Sequence, residues 1–232
     1  MNRSQHHTSQ SKSNFCKNSL DCSHLTKALH LDFSRSVLKS VFASFDAPWH
    51  TIISLSQSIK QVGDSLPHDQ YDEILPQVWV HTSAYLSPNA KISSPAIICG
   101  GAVISHFTHI ESSVIGSFSF VGEFSSVKNS ILFDKTRLCG HNSVNSTIIG
   151  YKSMLSHGAI TVDQCTNNLN VSIDLPSGVY LLPTAKFGAI ICDEVMIGSS
   201  AVLKSGSAIG TCAKIPPLCT VSGYVYPYAE LK

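Results

Sequence analysis

The sequence predicts a mainly β protein built as a parallel β-helix and preceded by a short helical segment. Three observations predict it. From Val80 an aliphatic residue stands at every sixth position: Val80, Leu86, Ile92, Ile98, Ile104 and Ile110. A small residue follows most of these four positions later, as at Ala84, Ala90, Ala96, Ala102, Thr108, Ser119 and Ser125. The phase then slips by one after Ile110, after Val127 and after Val144, so equivalent positions recur every 17 residues. Helices repeat every 3.6 residues and strands every 2, so neither alone gives a period of six. The hexapeptide repeat of a parallel β-helix does.

The elements follow in order. Residues 1–20 are polar and are expected to be a disordered tail. Residues 21–76 read as a helical segment and linker. In "SRSVLKSVFASF", Val37, Leu38, Val41, Phe42 and Phe45 make one apolar face. In "DAPWHTIISLSQSIKQV", Asp46 suits an N-cap and Pro48 the first turn. Trp49, Ile52, Ile53, Leu55, Ile59 and Val62 supply its apolar faces. The stretch from Gly63 to about Pro76 reads as linker. These helices are too small for a domain of their own and are expected to pack on the β-helix or on a neighbouring subunit.

Residues 77–232 form the β-helix. Each hexapeptide makes a short strand and a corner, and three make a triangular turn of about 18 residues. The aliphatic residue points inward and the small one fits a tight corner. Turns stack at ~4.8 Å. Each inward aliphatic residue contributes roughly 1.5–3 kcal/mol, and stability accumulates turn upon turn. The 17-residue spacing stacks Phe107, Phe124, His141 and Gly158 in one column. It stacks His106, Glu123, Gly140 and His157 in the next, and Glu111, Lys128 and Asn145 in a third. Residues 162–190 interrupt the repeat, and long excursions from a solenoid are commonly functional loops. The period resumes without slips at Ile191, Ile197, Leu203, Ile209, Ile215 and Val221.

Composition excludes several classes of partner. The chain is 43% apolar and 13% charged, with a net charge of +1 and no Lys/Arg run. Non-specific binding to nucleic acid or to an anionic membrane has no electrostatic basis. No apolar stretch approaches the ~20 residues of a membrane helix, and the N-terminus has no apolar core of a secretory signal. The eight cysteines are scattered, with no C-x-x-C pair and no zinc-type spacing. Free structural thiols in a cytoplasmic protein are expected. No metal site is expected either. His106 and His157 would lie three turns apart, roughly 14 Å, and a zinc ion cannot bridge them. A His141/His157 pair on adjacent turns would supply only two ligands.

The stretches "SVKNSILFDKTRLCGHNSVNSTIIG" (126–150) and "KFGAIICDEVMIGSSAVLKSGSAIG" (186–210) resemble a known family. It is the hexapeptide-repeat acyltransferase family, in particular the C-terminal β-helix of the bifunctional UDP-N-acetylglucosamine pyrophosphorylase/glucosamine-1-phosphate N-acetyltransferase. Archaeal sugar-1-phosphate nucleotidylyltransferase relatives share that β-helix. The helix "APWHTIISLSQSIK" ahead of the repeat is similar to short stand-alone bacterial forms. The resemblance implies a left-handed β-helix, although parallel crossovers are ordinarily right-handed. It implies a homotrimer with acetyl-CoA bound between β-helices, and Ala201 and Ser207 are assigned to that coenzyme groove.

The resemblance also implies that His141 takes a proton from an attacking sugar amine. An imidazole suits that work because it titrates near neutrality. Lys128 corresponds to a lysine that binds the sugar phosphate. Glu111 stands where the family has an arginine, Gly158 lies in the "SHGA" turn where the family has "GAGT", and Asp163 stands where it has an asparagine. These three complete the substrate set. Val144 and Met154 replace a further aromatic residue and an asparagine. Residues 1–79 show no Gly-rich phosphate loop and nothing like the nucleotidyltransferase half. The expected function is acetyl-CoA-dependent N-acetylation of an amino-sugar phosphate or nucleotide sugar. The alternative is a catalytically degenerate β-helix that binds a sugar ligand or assembles a trimer.

Overall fold

The computed structural model describes residues 31–164 and 169–232. The expected tail, 1–20, lies outside the described residues. From Val78 the chain winds as a parallel β-solenoid of about 8 turns, the left-handed β-helix architecture. Three faces form a prism. The first carries a seven-stranded parallel sheet that includes Val103–Ile104, Phe120–Val121, Arg137–Leu138, Met154–Leu155 and Met196–Ile197. The second carries Ser126–Lys128, Ser143–Asn145, Ile160–Thr161 and Val202–Leu203. The third carries Ile131–Leu132, Ile148–Ile149, Ala189–Ile191 and Ser207–Ile209. The strand His109–Ile115 bends round a corner and joins the second face to the third.

The register follows the slips. Ile104, Val121, Leu138 and Leu155 pair in series, as do Ile110, Val127 and Val144. All seven are fully buried in the prism. A rung shortened by one residue therefore costs nothing in packing, because the aliphatic column stays in line. Where the small residue is Ser or Thr, its hydroxyl also works. Ser119 Oγ donates to Phe133 O (2.9 Å) and accepts from Thr136 N (3.1 Å). Ser130 Oγ donates to Lys128 O (2.7 Å) and accepts from Thr147 N (3.1 Å). These bonds satisfy backbone groups that turn inward at the corners.

A second core lies outside the third face. There the residue before each inward one is also apolar: Ile97, Val114, Ile131, Ile148 and Ile190 are all buried. The helical segment covers them. Its helices are α1 (Lys39–Phe42), α2 (Pro48–Ile53) and α3 (Leu55–Gly63). Leu38, Phe42, Ile52, Leu55 and Ile59 supply the packed face, and Phe42 meets Phe133 of the solenoid edge to face at 5.6 Å. Asp193 fastens the same segment. Its carboxylate accepts from Asp32 N (3.0 Å) and Tyr151 N (2.7 Å), although burial pushes its pKa upward.

Three local expectations are corrected. The first helix is only one turn, because Ser36 Oγ accepts from Leu38 N and Ser44 Oγ donates to Val41 O, so serines compete with the helix. The N-cap of α2 is Ala47, not Asp46: Pro48 holds the residue before it extended, at φ −151° and ψ 143°. A kink at Ser54, whose hydroxyl bonds back to His50 O, splits α2 from α3. Within the expected linker, Tyr71–Leu75 pairs antiparallel with Val78–His81 and caps the first rung.

The excursion departs from Thr161 and returns at Ala189. Ile149 pairs directly with Ile191, so 42 residues separate neighbours that are 16 to 18 apart where no excursion intervenes. Part of it is an antiparallel hairpin, Ser172–Leu175 with Gly178–Leu181. Among the described residues no helix is long and apolar enough to cross a membrane. Of the described cysteines, all free, Cys99 and Cys192 are buried. Burial pushes the Cys99 thiol up to about 12, which removes it from thiolate chemistry.

Candidate active site

His141 sits at the corner between the first and second faces. The corner demands the left-handed conformation, with φ of 57° at Phe107, 56° at Phe124, 53° at His141 and 71° at Gly158. Each non-glycine residue there costs on the order of 1 kcal/mol and needs support from its surroundings. Rung-to-rung bonds supply it: His141 N donates to Glu123 O (2.8 Å) and Gly158 N to Gly140 O (3.0 Å). Asn142 does more. Its buried amide donates to Ser156 O (2.7 Å) and Ala159 O (3.0 Å), and its Oδ1 accepts from Gly140 N (3.0 Å). Asn142 therefore fixes the turn that carries His141.

The expected column exists. Phe107 stacks on Phe124 with centroids 5.1 Å apart and planes at 13°, and Phe124 stacks on His141 at 5.1 Å and 17°. The rings stand at the surface and their edges face solvent. Among the described residues no side chain hydrogen-bonds the His141 ring. Both ring nitrogens are thus available to an external partner. The next rung is Gly158, which leaves the far face of the imidazole uncovered by a side chain of its own column.

The opposite edge of the second face holds a cleft with a volume of ≈ 300 Å³. It lies roughly 13 Å from His141 by strand rise, from His141 to Asn145. Lys128 and Asp163 both line it, together with Lys186, Thr184 and the end of α2. Its floor is a chain of contacts along one corner. Asn129 Nδ2 donates to Ser146 Oγ (3.3 Å), and Ser146 Oγ donates to Asp163 Oδ2 (3.2 Å). Lys128 Nζ also stands 3.9 Å from Glu111 Oε2, the ion pair expected from the third column. Both side chains are nearly half exposed, so the pair contributes ~0–1 kcal/mol and can open for a ligand. His109 stands 3.8 Å from the same carboxylate, but burial and then the charges of Lys128 and Lys91 lower its pKa. The shift favours the neutral imidazole, and Lys128 is the cation nearest the Glu111 carboxylate in the cleft wall.

The structure thus brings Lys128 and Asp163 together, sets Glu111 beside Lys128, and puts His141 and Gly158 across the same face. It does not bring Ala201 and Ser207 to a surface. Both are 0% exposed, and Ser207 Oγ bonds Lys204 O inside the prism. The reason is their place in the repeat: the fourth position after the aliphatic residue points into the corner. Their side chains cannot touch a coenzyme. Two contributors escaped the sequence. Asn142 carries a signal, as a larger amide at a position that is elsewhere mostly Ala, Ser or Thr. Lys186 carries none, because the excursion alone brings it to Lys128.

Comparison with known proteins agrees over the repeat. Residues 79–182 match the family model described as GlmU-like, C-terminal hexapeptide. The chain is similar to the "Bifunctional protein GlmU" of Methanococcus maripaludis, at 29% identity over 119 residues, 49% of this chain and 29% of that protein. The protein of the same name from Methanococcus vannielii is 29% identical over 119 residues, 49% of this chain and 28% of that one. The aligned part thus spans less than a third of the length of these relatives. Among solved structures, a hexapeptide transferase family protein from Anaplasma phagocytophilum is 18% identical, with a TM-score of 0.49 over 66% of this chain and 82% of that one. AntD, an N-acyltransferase from Bacillus cereus, is 15% identical, with a TM-score of 0.40 over 66% of this chain and 74% of that one. Repeat, register and family match coincide: over residues 79–182 this chain is similar to the GlmU-like C-terminal hexapeptide family.

Proposed function

We propose that the chain is an N-acetyltransferase of the hexapeptide-repeat type. Its acceptor is an amino-sugar phosphate or a nucleotide sugar, and acetyl-CoA supplies the acyl group as a thioester. One observation carries the reading: Lys128 and Lys186, far apart in the chain, line a single polar cleft on the face whose other edge presents a solvent-facing imidazole. The two ammonium groups hold the acceptor's phosphate. Asp163 and the amides beside it take its hydroxyls. His141, held in orientation by Phe124 and by the Asn142-clamped turn, takes a proton from the amine as it attacks. Gly158, one rung on, leaves room beside the imidazole for the reacting groups. Glu111 moderates the charge of Lys128 in the free protein.

The exposed face supports a trimer, the assembly expected from the resemblance. The first face carries Tyr85, Val103, Phe120, Arg137, Met154, Met196 and Lys214 outward in one column, with the Arg137 guanidinium over the Phe120 ring and Tyr85 and Met196 exposed. A column of aromatic residues, Met and Arg on one face of a prism fits burial against another copy.

The test is acetyl-CoA-dependent thiol release over a panel of amino-sugar phosphates and nucleotide amino sugars. His141→Ala is expected to lower kcat by about 10²–10⁴-fold, the usual share of a general base. Lys128→Ala together with Lys186→Ala is expected to raise KM, by roughly tenfold or more for lost charge-assisted bonds. Turnover undiminished in His141→Ala contradicts the assignment. The second reading, a catalytically degenerate β-helix that binds a sugar ligand or assembles a trimer, is favoured by the Lys128–Glu111 pair, which weakens the hold on an acceptor phosphate. Binding without turnover on any acceptor establishes it.

A further inference from the structure

The cleft has one wall unlike the rest. Its solenoid side is polar, and its excursion side brings Lys186 and Thr184. Facing them is the end of α2, from outside the residues that match the family. Ile52 of that helix is buried, but Ile53 is 46% exposed and lines the cleft. A single exposed isoleucine on an open surface is ordinary. This one stands against a ring of hydrogen-bonding and charged groups. A wholly polar ligand that fills the cleft sets a hydroxyl against an aliphatic side chain that offers it no hydrogen bond.

The wall is also held in place. Pro48, Trp49 and Ile52 are buried, and the Trp49 ring lies 5.3 Å from that of Tyr180 on the hairpin. The same excursion carries Lys186. The apolar and cationic walls are therefore tied to one another.

We propose that Ile53 is a specificity-determining residue, which makes the cleft prefer a sugar phosphate carrying a methyl group where other sugars carry a hydroxymethyl group. The inference rests on the reading of the cleft as a phosphate-holding site. The lysines take the anion, Asp163 and its neighbours take ring hydroxyls, and Ile53 takes the methyl. In an aldohexose 1-phosphate only removal of the C6 hydroxyl leaves a methyl group, so the ligand class is a 6-deoxyhexose phosphate.

The experiment is calorimetric titration of the whole chain with three probes: inorganic phosphate, glucose 1-phosphate and 6-deoxyglucose 1-phosphate. The parent is expected to bind the deoxy sugar about fourfold more tightly than its hydroxylated partner, the gain from burying one methyl-sized group. Ile53→Leu is expected to keep the preference and Ile53→Ser to erase it, with phosphate affinity unchanged in both. Ile53 is half exposed, so neither change threatens the fold, and a melting curve checks this. Equal affinity for the two sugars in the parent, or a preference that survives in Ile53→Ser, overturns the inference. If phosphate still binds in those cases, the cleft reading stands. Failure of the parent to bind any of the three probes overturns both.

Discussion

Among the described residues a single buried side-chain oxygen, Thr51 Oγ1, lacks a hydrogen-bond partner. Thr51 is fully buried on α2, between Trp49 and Ile52 in the packed face of the helical segment. A buried hydroxyl without a partner costs on the order of 1–3 kcal/mol. Thr51→Val keeps the shape and removes the hydroxyl. It is expected to stabilise the protein by about 1 kcal/mol, read as a higher midpoint in chemical denaturation with an unchanged slope. Gly122 shows the opposite constraint. A Cβ there would stand 2.5 Å from the backbone of Cys139 on the next rung, so only glycine lets the two rungs stack at strand spacing.

At the scale of elements, the third face is a shared wall between two cores. Ile148 points out toward the helical segment while its neighbour Ile149 points in. Ile148→Ala is expected to cost about 2–5 kcal/mol, as other buried isoleucine truncations do, and equilibrium unfolding checks this. Proteolysis that then removes the helical segment first would locate the damage outside the prism. The inward column was legible in the sequence because its period matches neither helix nor strand, and even the slips proved to be registers. The outer core left a mark as well, in the doublets Ile97–Ile98, Val114–Ile115, Ile131–Leu132, Ile148–Ile149 and Ile190–Ile191. A count of one aliphatic residue per hexapeptide passes over the first member of each pair. His141 and Lys128 were found through the resemblance, and their columns through the spacing. The cleft was not legible, because the path of the excursion, which carries Lys186 and abuts α2, follows no period.

At the scale of the molecule, the three faces have three fates. One is sealed by the chain's own helices, one is polar and carries the candidate site, and one is open and mixes apolar with cationic side chains. Met196 is 48% exposed on the open face, and Phe118 is 69% exposed. The proposed association uses that face, because aromatic, Met and Arg side chains are the ones enriched where proteins meet. Sedimentation of the parent is expected to give a trimer at micromolar concentration. Met196→Asp is expected to shift it toward monomer while the circular dichroism spectrum stays that of the parent. A trimer that withstands a carboxylate at Met196 would move the interface elsewhere.

The reversed strand at the start of the solenoid has a consequence for what the molecule does not become. A stack of parallel rungs has two ends, and an uncovered end offers backbone N–H and C=O groups in the polarity that another copy's last rung would match. Such a contact repeats without closing and grows as a filament. Tyr71–Leu75 lies over Val78–His81 in the opposite direction. Asp72 and Glu73 are both exposed on it, and Glu73 Oε1 accepts from Gln77 N (2.7 Å) at the turn. A second copy meets the wrong strand polarity beside charged side chains. Head-to-tail polymerisation is blocked at that end, and the stack stays as long as its own chain makes it.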